Sequence, residues 1–140
     1  MYLLDTRVVS ELRKARPHGA DLAWVQSVAD ADLYLSAVTL GEIQSGNALT
    51  REQDAAMAAD IEAMADMVTA GCKVLPADAQ TFRTWARLMH RRSDSVYQDA
   101  MIAATAAIHF LTVVGRKPTV VSEFGVRLFN PFVATPRGEN

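Results

Sequence analysis

Short apolar runs alternate with longer stretches of helical periodicity along this chain. Tyr2–Leu4, ended by Asp5 and Thr6, predicts a buried strand running into a helix over 7–13, with Thr6 as its N-cap. Pro17 and Gly19 break the chain, and a second helix follows with Leu22, Val25, Val28 and Ala29 on one face and Trp24 at its edge. Residues 33–38 read as the second strand. Thr39 and Glu42 have the spacing of a capping box, which predicts a helix from there toward Asn47. Residues 51–70 read as one long helix with Met57, Ile61, Met64 and Met67 in a stripe, which suits core packing or a subunit contact. Lys73–Leu75 is the third strand, and 77–92 is a helix with Phe82, Trp85 and Met89 inward. Ser95 and Gln98 repeat the capping-box spacing and open an Ala-rich helix that is apolar on nearly every side, hence interior. Strands at 111–114 and 126–129 complete the pattern. Strands alternating with helices predict an α/β sandwich of three layers around a mostly parallel sheet of four or five strands. Residues 1–133 form one domain and 134–140 a frayed tail.

Composition narrows the class. The 140 residues suit a single domain, and no apolar run approaches the roughly 18–20 residues that span a bilayer. The opening MYLLDTRVVSEL has no basic n-region, so it does not read as a signal peptide. One cysteine, Cys72, cannot form an internal disulfide, which fits a reducing cytoplasm and a packing role. The net charge of −2 hides an asymmetry: residues 1–71 hold 5 Lys/Arg against 11 Asp/Glu, and 72–140 hold 9 against 5. The second half is locally basic, the field that matters for steering a polyanion.

Sites in parallel sheets form outside the carboxyl ends of the strands. Asp5 follows the first strand, Glu42 lies in the helix after the second, and Asp99 opens the helix before the fourth, so three acids converge on one edge. Each has a blander role open to it. Asp5 can cap its own helix, Glu42 can be half of a capping box, and Asp99 can simply answer the helix dipole. Together they repel, by roughly 3 kcal/mol per pair at 5 Å and an effective dielectric near 20. His18, His90 and His109 share no ligand spacing, which argues against zinc. An all-oxygen set instead selects Mg²⁺ or Mn²⁺, and the chemistry implied is phosphodiester hydrolysis. Arg83, Arg87 and Arg91 recur every four residues and mark either a solvated face or a backbone track. A haloacid-dehalogenase-type phosphotransferase would place an Asp where Arg7 stands, and a phospho-receiver would place one at the end of the third strand; neither fits.

MYLLDTRVVSELRK, LSAVTLGEIQSG, DAMIAATAAIHFLTVV and GVRLFNPF, taken together, resemble successive signatures of PIN-domain ribonucleases of the VapC toxin type, from Met1 to about Phe132. The resemblance implies a PIN-like α/β/α fold, a cytoplasmic homodimer and an Mg²⁺- or Mn²⁺-dependent endoribonuclease acting on structured RNA such as tRNA or rRNA. It also implies a VapB-type antitoxin, in a heterotetramer or hetero-octamer. By motif position the family's metal-binding acids fall on Asp5, Glu42 and Asp99. Arg116 and Lys117, with the Arg83/Arg87/Arg91 face, are the expected RNA contacts.

Two departures bear on activity. Arg7 stands where the family carries Asn or Ser, close enough to lean on the acids and modulate the site, or to turn to solvent. Gly115-Arg116-Lys117 replaces Thr-Arg-Asn, and Val120 stands in place of a fourth acid, leaving Glu123 as the nearest carboxylate for the ion. The alternative reading is therefore a degenerate PIN domain that binds antitoxin or RNA without cutting.

Overall fold

A computed structural model describes residues 1–12, 23–24, 26–28, 30–115 and 123–130. Its elements, in chain order, are β1 (Tyr2–Leu4), α1 (Thr6–Leu12), a 3₁₀ turn (Asp30–Asp32), β2 (Leu33–Ser36), α2 (Ala37–Gln53), α3 (Ala55–Gly71), β3 (Lys73–Leu75), α4 (Ala79–Met89), a second 3₁₀ turn (Asp94–Val96), α5 (Tyr97–His109), β4 (Thr112–Val114) and β5 (Leu128–Phe129). Among the described residues every strand pairing is parallel, and the sheet order is β3-β2-β1-β4-β5. The expected fold class is the one observed. From β1 the chain builds outward through β2 and β3, then returns to the other side of β1 for β4. The switch point of the sheet therefore lies between β1 and β4, where a parallel sheet opens a crevice.

Strand alternation sorts the apolar side chains into two layers. Leu4 and Val114 face Val8, Val9, Leu35, Ile43 and Ile61, under α1, α2 and α3. Leu3 and Val113 face Ile102, Ala106 and Leu111, under α5. Helix α5 is buried continuously from Ala100 to Ala106, as its composition predicts. Its alanines permit close approach to the sheet, and the buried Thr105 hydroxyl is satisfied by the Met101 carbonyl at 2.9 Å. Trp24 and Val28 pack against the first layer, with Trp24 edge-on to Tyr2. Leu22, Val25, Ala29 and the 134–140 tail lie outside the described residues. Cys72 is half-buried against the core. Among the described residues, no helix is long and apolar enough to cross a membrane.

Several local expectations need correction. Thr6 is the first residue of α1 and not its cap; the Asp5 carbonyl instead accepts from the N–H groups of Val8 and Val9. Helix α2 starts at Ala37, capped by Ser36, whose hydroxyl accepts from the Val38 N–H. Glu42 thus lies beyond the first turn and has no capping role. The boundary expected between Asn47 and Arg51 lies at Asp54 instead, so residues 51–53 end α2 and the long helix is Ala55–Gly71. Asp54 ends α2 through its N–H to Thr50 and starts α3 by accepting from the Met57 N–H. Of the Met57 stripe only Ile61 is buried, Met64 is half-buried, and Met57 and Met67 are exposed. Helix α4 begins after Asp78, which caps it, and Phe82 faces out while Trp85 and Met89 are half-buried. The Ser95–Gln98 box does not form: Ser93 caps the preceding 3₁₀ turn, and α5 has no side-chain cap bond.

Because one side chain both punctuates and restarts the helical run, Asp54→Ala should lower stability by about 1 kcal/mol. Urea unfolding of the two proteins measures this. An unchanged midpoint would mean that the break between α2 and α3 is held by packing alone.

A three-carboxylate cleft at the sheet switch point

Asp5 is fixed from both sides. Its N–H donates to the Val114 carbonyl at 2.9 Å, extending the β1–β4 ladder one residue, while its carbonyl starts α1. The side chain is buried at the end of the central strand. Gly115, at the end of β4, lies against it: a Cβ at position 115 would stand 3.2 Å from Asp5 Oδ2 and 3.2 Å from Leu128 Cδ1. Burial raises the Asp5 pKa above the usual carboxylate range; Arg7 opposes that shift and the Asp99 charge adds to it.

Glu42 reaches the same place from α2. Thr6 Oγ1 donates to Glu42 Oε1 at 2.6 Å and lies 3.0 Å from Thr39 Oγ1. Since the single Thr6 proton goes to the carboxylate, the fully buried Thr39 must be the donor to Thr6. The result is a directed chain, Thr39 to Thr6 to Glu42, that aims one carboxylate oxygen. Burial also raises the Glu42 pKa, with the Thr6 hydrogen bond opposing and the charges of Asp5 and Asp99 contributing. Neither threonine stood out in the sequence as a site residue. The signal was present in Thr6 following Asp5 and in Thr39 standing one helical turn before Glu42.

Asp99 sits in the first turn of α5, as expected. Asp5, Thr6, Arg7, Glu42, Gln98, Asp99 and Ile102 line one cavity of about 150 Å³. The predicted convergence of the three acids is thus what the fold produces. Arg7 leans inward: its Nη1 lies 3.4 Å from Asp5 Oδ2 and 3.9 Å from Asp99 Oδ1. Those two carboxylate oxygens can be no farther apart than the sum of these distances. Among the described residues the acidic donors of the lining are all oxygen, with no His or Cys beside them, and so suit a hard divalent cation in kind. Among the described residues, no three acidic, His or Cys side chains are drawn tightly enough around one point to hold an ion.

The outlying site residues fall elsewhere. Glu123 pairs with Arg92 at 2.9 Å, and neither lines the cavity. Arg83 and Arg87 line a separate depression with Ala79 and Gln80. Arg91 lies beyond the end of α4 in a left-handed conformation, φ 61°, so it does not continue their helical stripe. Arg116, Lys117 and Val120 lie outside the described residues.

Asp5 and Glu42, whose pKa values burial raises, oppose folding when charged at neutral pH. An acid whose pKa is higher in the folded than in the unfolded chain favours the fold at low pH, and that contribution is lost as pH rises through the folded value. Glu42→Gln keeps an acceptor for Thr6 and removes the charge. It should be more stable than wild type at pH 7, and the advantage should vanish below the ordinary glutamate range. Chemical denaturation across pH tests this; an advantage independent of pH would remove electrostatics as its cause.

Comparison with known proteins agrees with this architecture. Residues 2–117 match the family model of the PIN domain. The VapC ribonuclease Y4jK of Sinorhizobium fredii is 35% identical over 138 residues, covering 94% of this chain and 98% of that protein. The toxin FitB of Neisseria gonorrhoeae is 32% identical over 138 residues, covering 94% and 99%. A structure of FitAB bound to an IR36 DNA fragment superimposes with a TM-score of 0.76 at 31% identity, covering 94% of this chain and 96% of that one. With the sheet order, the acid cleft and these similarities in agreement, this chain belongs to the PIN-domain family.

Proposed function

We propose that this chain is the toxin of a type II toxin–antitoxin pair and cuts structured RNA, such as tRNA or rRNA, with the help of Mg²⁺ or Mn²⁺. The observation that carries the reading is the meeting of Asp5, Glu42 and Asp99 in one cavity at the switch point. Those three side chains would hold the ion. When bound, such an ion lowers the pKa of an attacking water and offsets the charge that builds on a phosphodiester in an in-line displacement. The Thr39–Thr6 chain orients Glu42, the Gln98 amide at the rim can donate to a phosphate oxygen, and Ile102 lines the cavity with an apolar side chain. Arg83 and Arg87, together with Arg116 and Lys117, would receive the RNA backbone, contacts that position the substrate without reading its sequence.

The relatives named as toxins, and the similarity to FitAB, support a VapB-type antitoxin as partner, and the single cysteine suits a reducing cytoplasm as the place where the pair works. Met57 and Met67, exposed on α3, suit a homodimer or antitoxin surface. A second reading is favoured by the guanidinium of Arg7 between two of the acids: a degenerate PIN domain that binds antitoxin or RNA without cleavage.

One assay separates the two. The full chain, purified free of antitoxin, is incubated with tRNA or rRNA and Mg²⁺ or Mn²⁺ beside an Asp99→Ala control. The nuclease reading expects cleavage that EDTA abolishes and that falls by about 100-fold or more in the control, the scale of losing one electrostatic contact at a reacting centre. Equal cleavage by both proteins would point to a contaminant, and none by either would leave the binding module.

A further inference from the structure

Arg7 is the unusual member of the cleft. It sits two residues after Asp5 in the first turn of α1, and its guanidinium folds back over the carboxylates. Its Nη1 contacts both Asp5 and Asp99, at 3.4 and 3.9 Å, so one nitrogen serves two acids. Both distances exceed those of a well-made charge-assisted hydrogen bond, roughly 2.7–2.9 Å. The Arg7 side chain is 52% exposed. It can therefore swing into solvent without opening the core. An ion binding both carboxylates would need their oxygens at about 2.0–2.1 Å for Mg²⁺, and Arg7 Nη1 already stands 3.4 and 3.9 Å from those same two groups. A divalent cation and a guanidinium compete for that place, because both are positive and both are drawn to the same two carboxylates.

We infer that Arg7 is a built-in counter-ion for the acid cleft, a positioning residue that a divalent cation must displace before Asp5 and Asp99 can share it. The inference rests on the ion-binding role proposed for the three acids. In the ion-free protein Arg7 offsets the repulsion between Asp5 and Asp99. On binding, its side chain turns outward, and the affinity for the ion is lowered by whatever the two contacts contribute. Pairs this exposed are weak, so the penalty is modest: removing the charge should tighten binding about 3- to 30-fold. The chain would then be set to respond to higher divalent concentrations than a counterpart with a neutral residue at position 7.

The test is titration of Mn²⁺ into the full-length wild type, Arg7→Gln, Arg7→Lys and Asp99→Asn, followed by calorimetry at fixed pH and ionic strength. Circular dichroism first establishes that all four are folded. Arg7→Gln should bind Mn²⁺ about 3- to 30-fold more tightly than wild type. Arg7→Lys, which keeps the charge, should stay within about threefold of wild type, and Asp99→Asn should bind more weakly. Equal affinity of wild type and Arg7→Gln, with loss in Asp99→Asn, would overturn the role of Arg7 and leave the ion site standing. Binding by none of the four, or equal binding by all, would overturn the ion site itself and this inference with it. A crystal soaked in Mn²⁺ adds a readout independent of affinity: Arg7 should leave Asp5 and Asp99, and a guanidinium still touching both beside a bound ion would refute displacement.

Discussion

A carboxylate at the end of the central strand is held out of bulk water, and the cleft is arranged around the cost of that burial. Strand β1 is paired on both sides, with β2 through Leu3 and Tyr34 and with β4 through Leu3 and Val113. Its register cannot slip by one residue without exchanging Leu3 and Leu4 between the two apolar layers. Asp5, the next residue, is therefore delivered to the switch point by the same burial that holds the sheet together. The position of the acid is a consequence of the core, and its raised pKa is a consequence of that position.

Three like charges in one small cavity would drive it open if nothing answered them. Two answers are visible, of different kinds. Glu42 is met by neutral dipoles, the threonine hydroxyls lined up behind it, which fix its direction without adding charge. Asp5 and Asp99 are met by a full positive charge on a long, half-exposed side chain. The first answer is rigid, since Thr39 is buried in α2. The second is mobile by construction, because a guanidinium on a flexible stem loses little by returning to water. The cleft is thus stiff on the side of α2 and adjustable on the side of α1.

What the sequence disclosed followed from how local each signal was. Strands β1 and β3 are bounded by strong punctuation, Asp5-Thr6 and the Gly71 stop, and were legible to the residue. The burial of α5 was legible because no polar face interrupts it. Capping was read less well, since several Ser, Thr and Asp residues stood within one turn of each other and only tertiary position chose among them. Ser36 took the place expected of Thr39, and the cap expected of Ser95 does not form, since Ser93 caps the 3₁₀ turn ahead of α5. The break at Asp54 was hidden in a run of good helix formers, where an Asp reads equally as a solvent-facing residue. The direction of Arg7 stayed open between the acids and the solvent, because the choice depends on Asp99, which approaches through the β1–β4 pairing.

Gly115 carries a final consequence. Its N–H is tied to Phe129 of the edge strand at 2.9 Å, while the place a methyl group would fill is bounded by Asp5 on one side and Leu128 on the other. Steric bulk at this position would have to be absorbed by the edge strand moving outward or by the acid moving across the cleft. The width of the mouth is therefore written partly in an atom that is missing, and the least-paired strand of the sheet becomes the wall against which the innermost carboxylate is gauged.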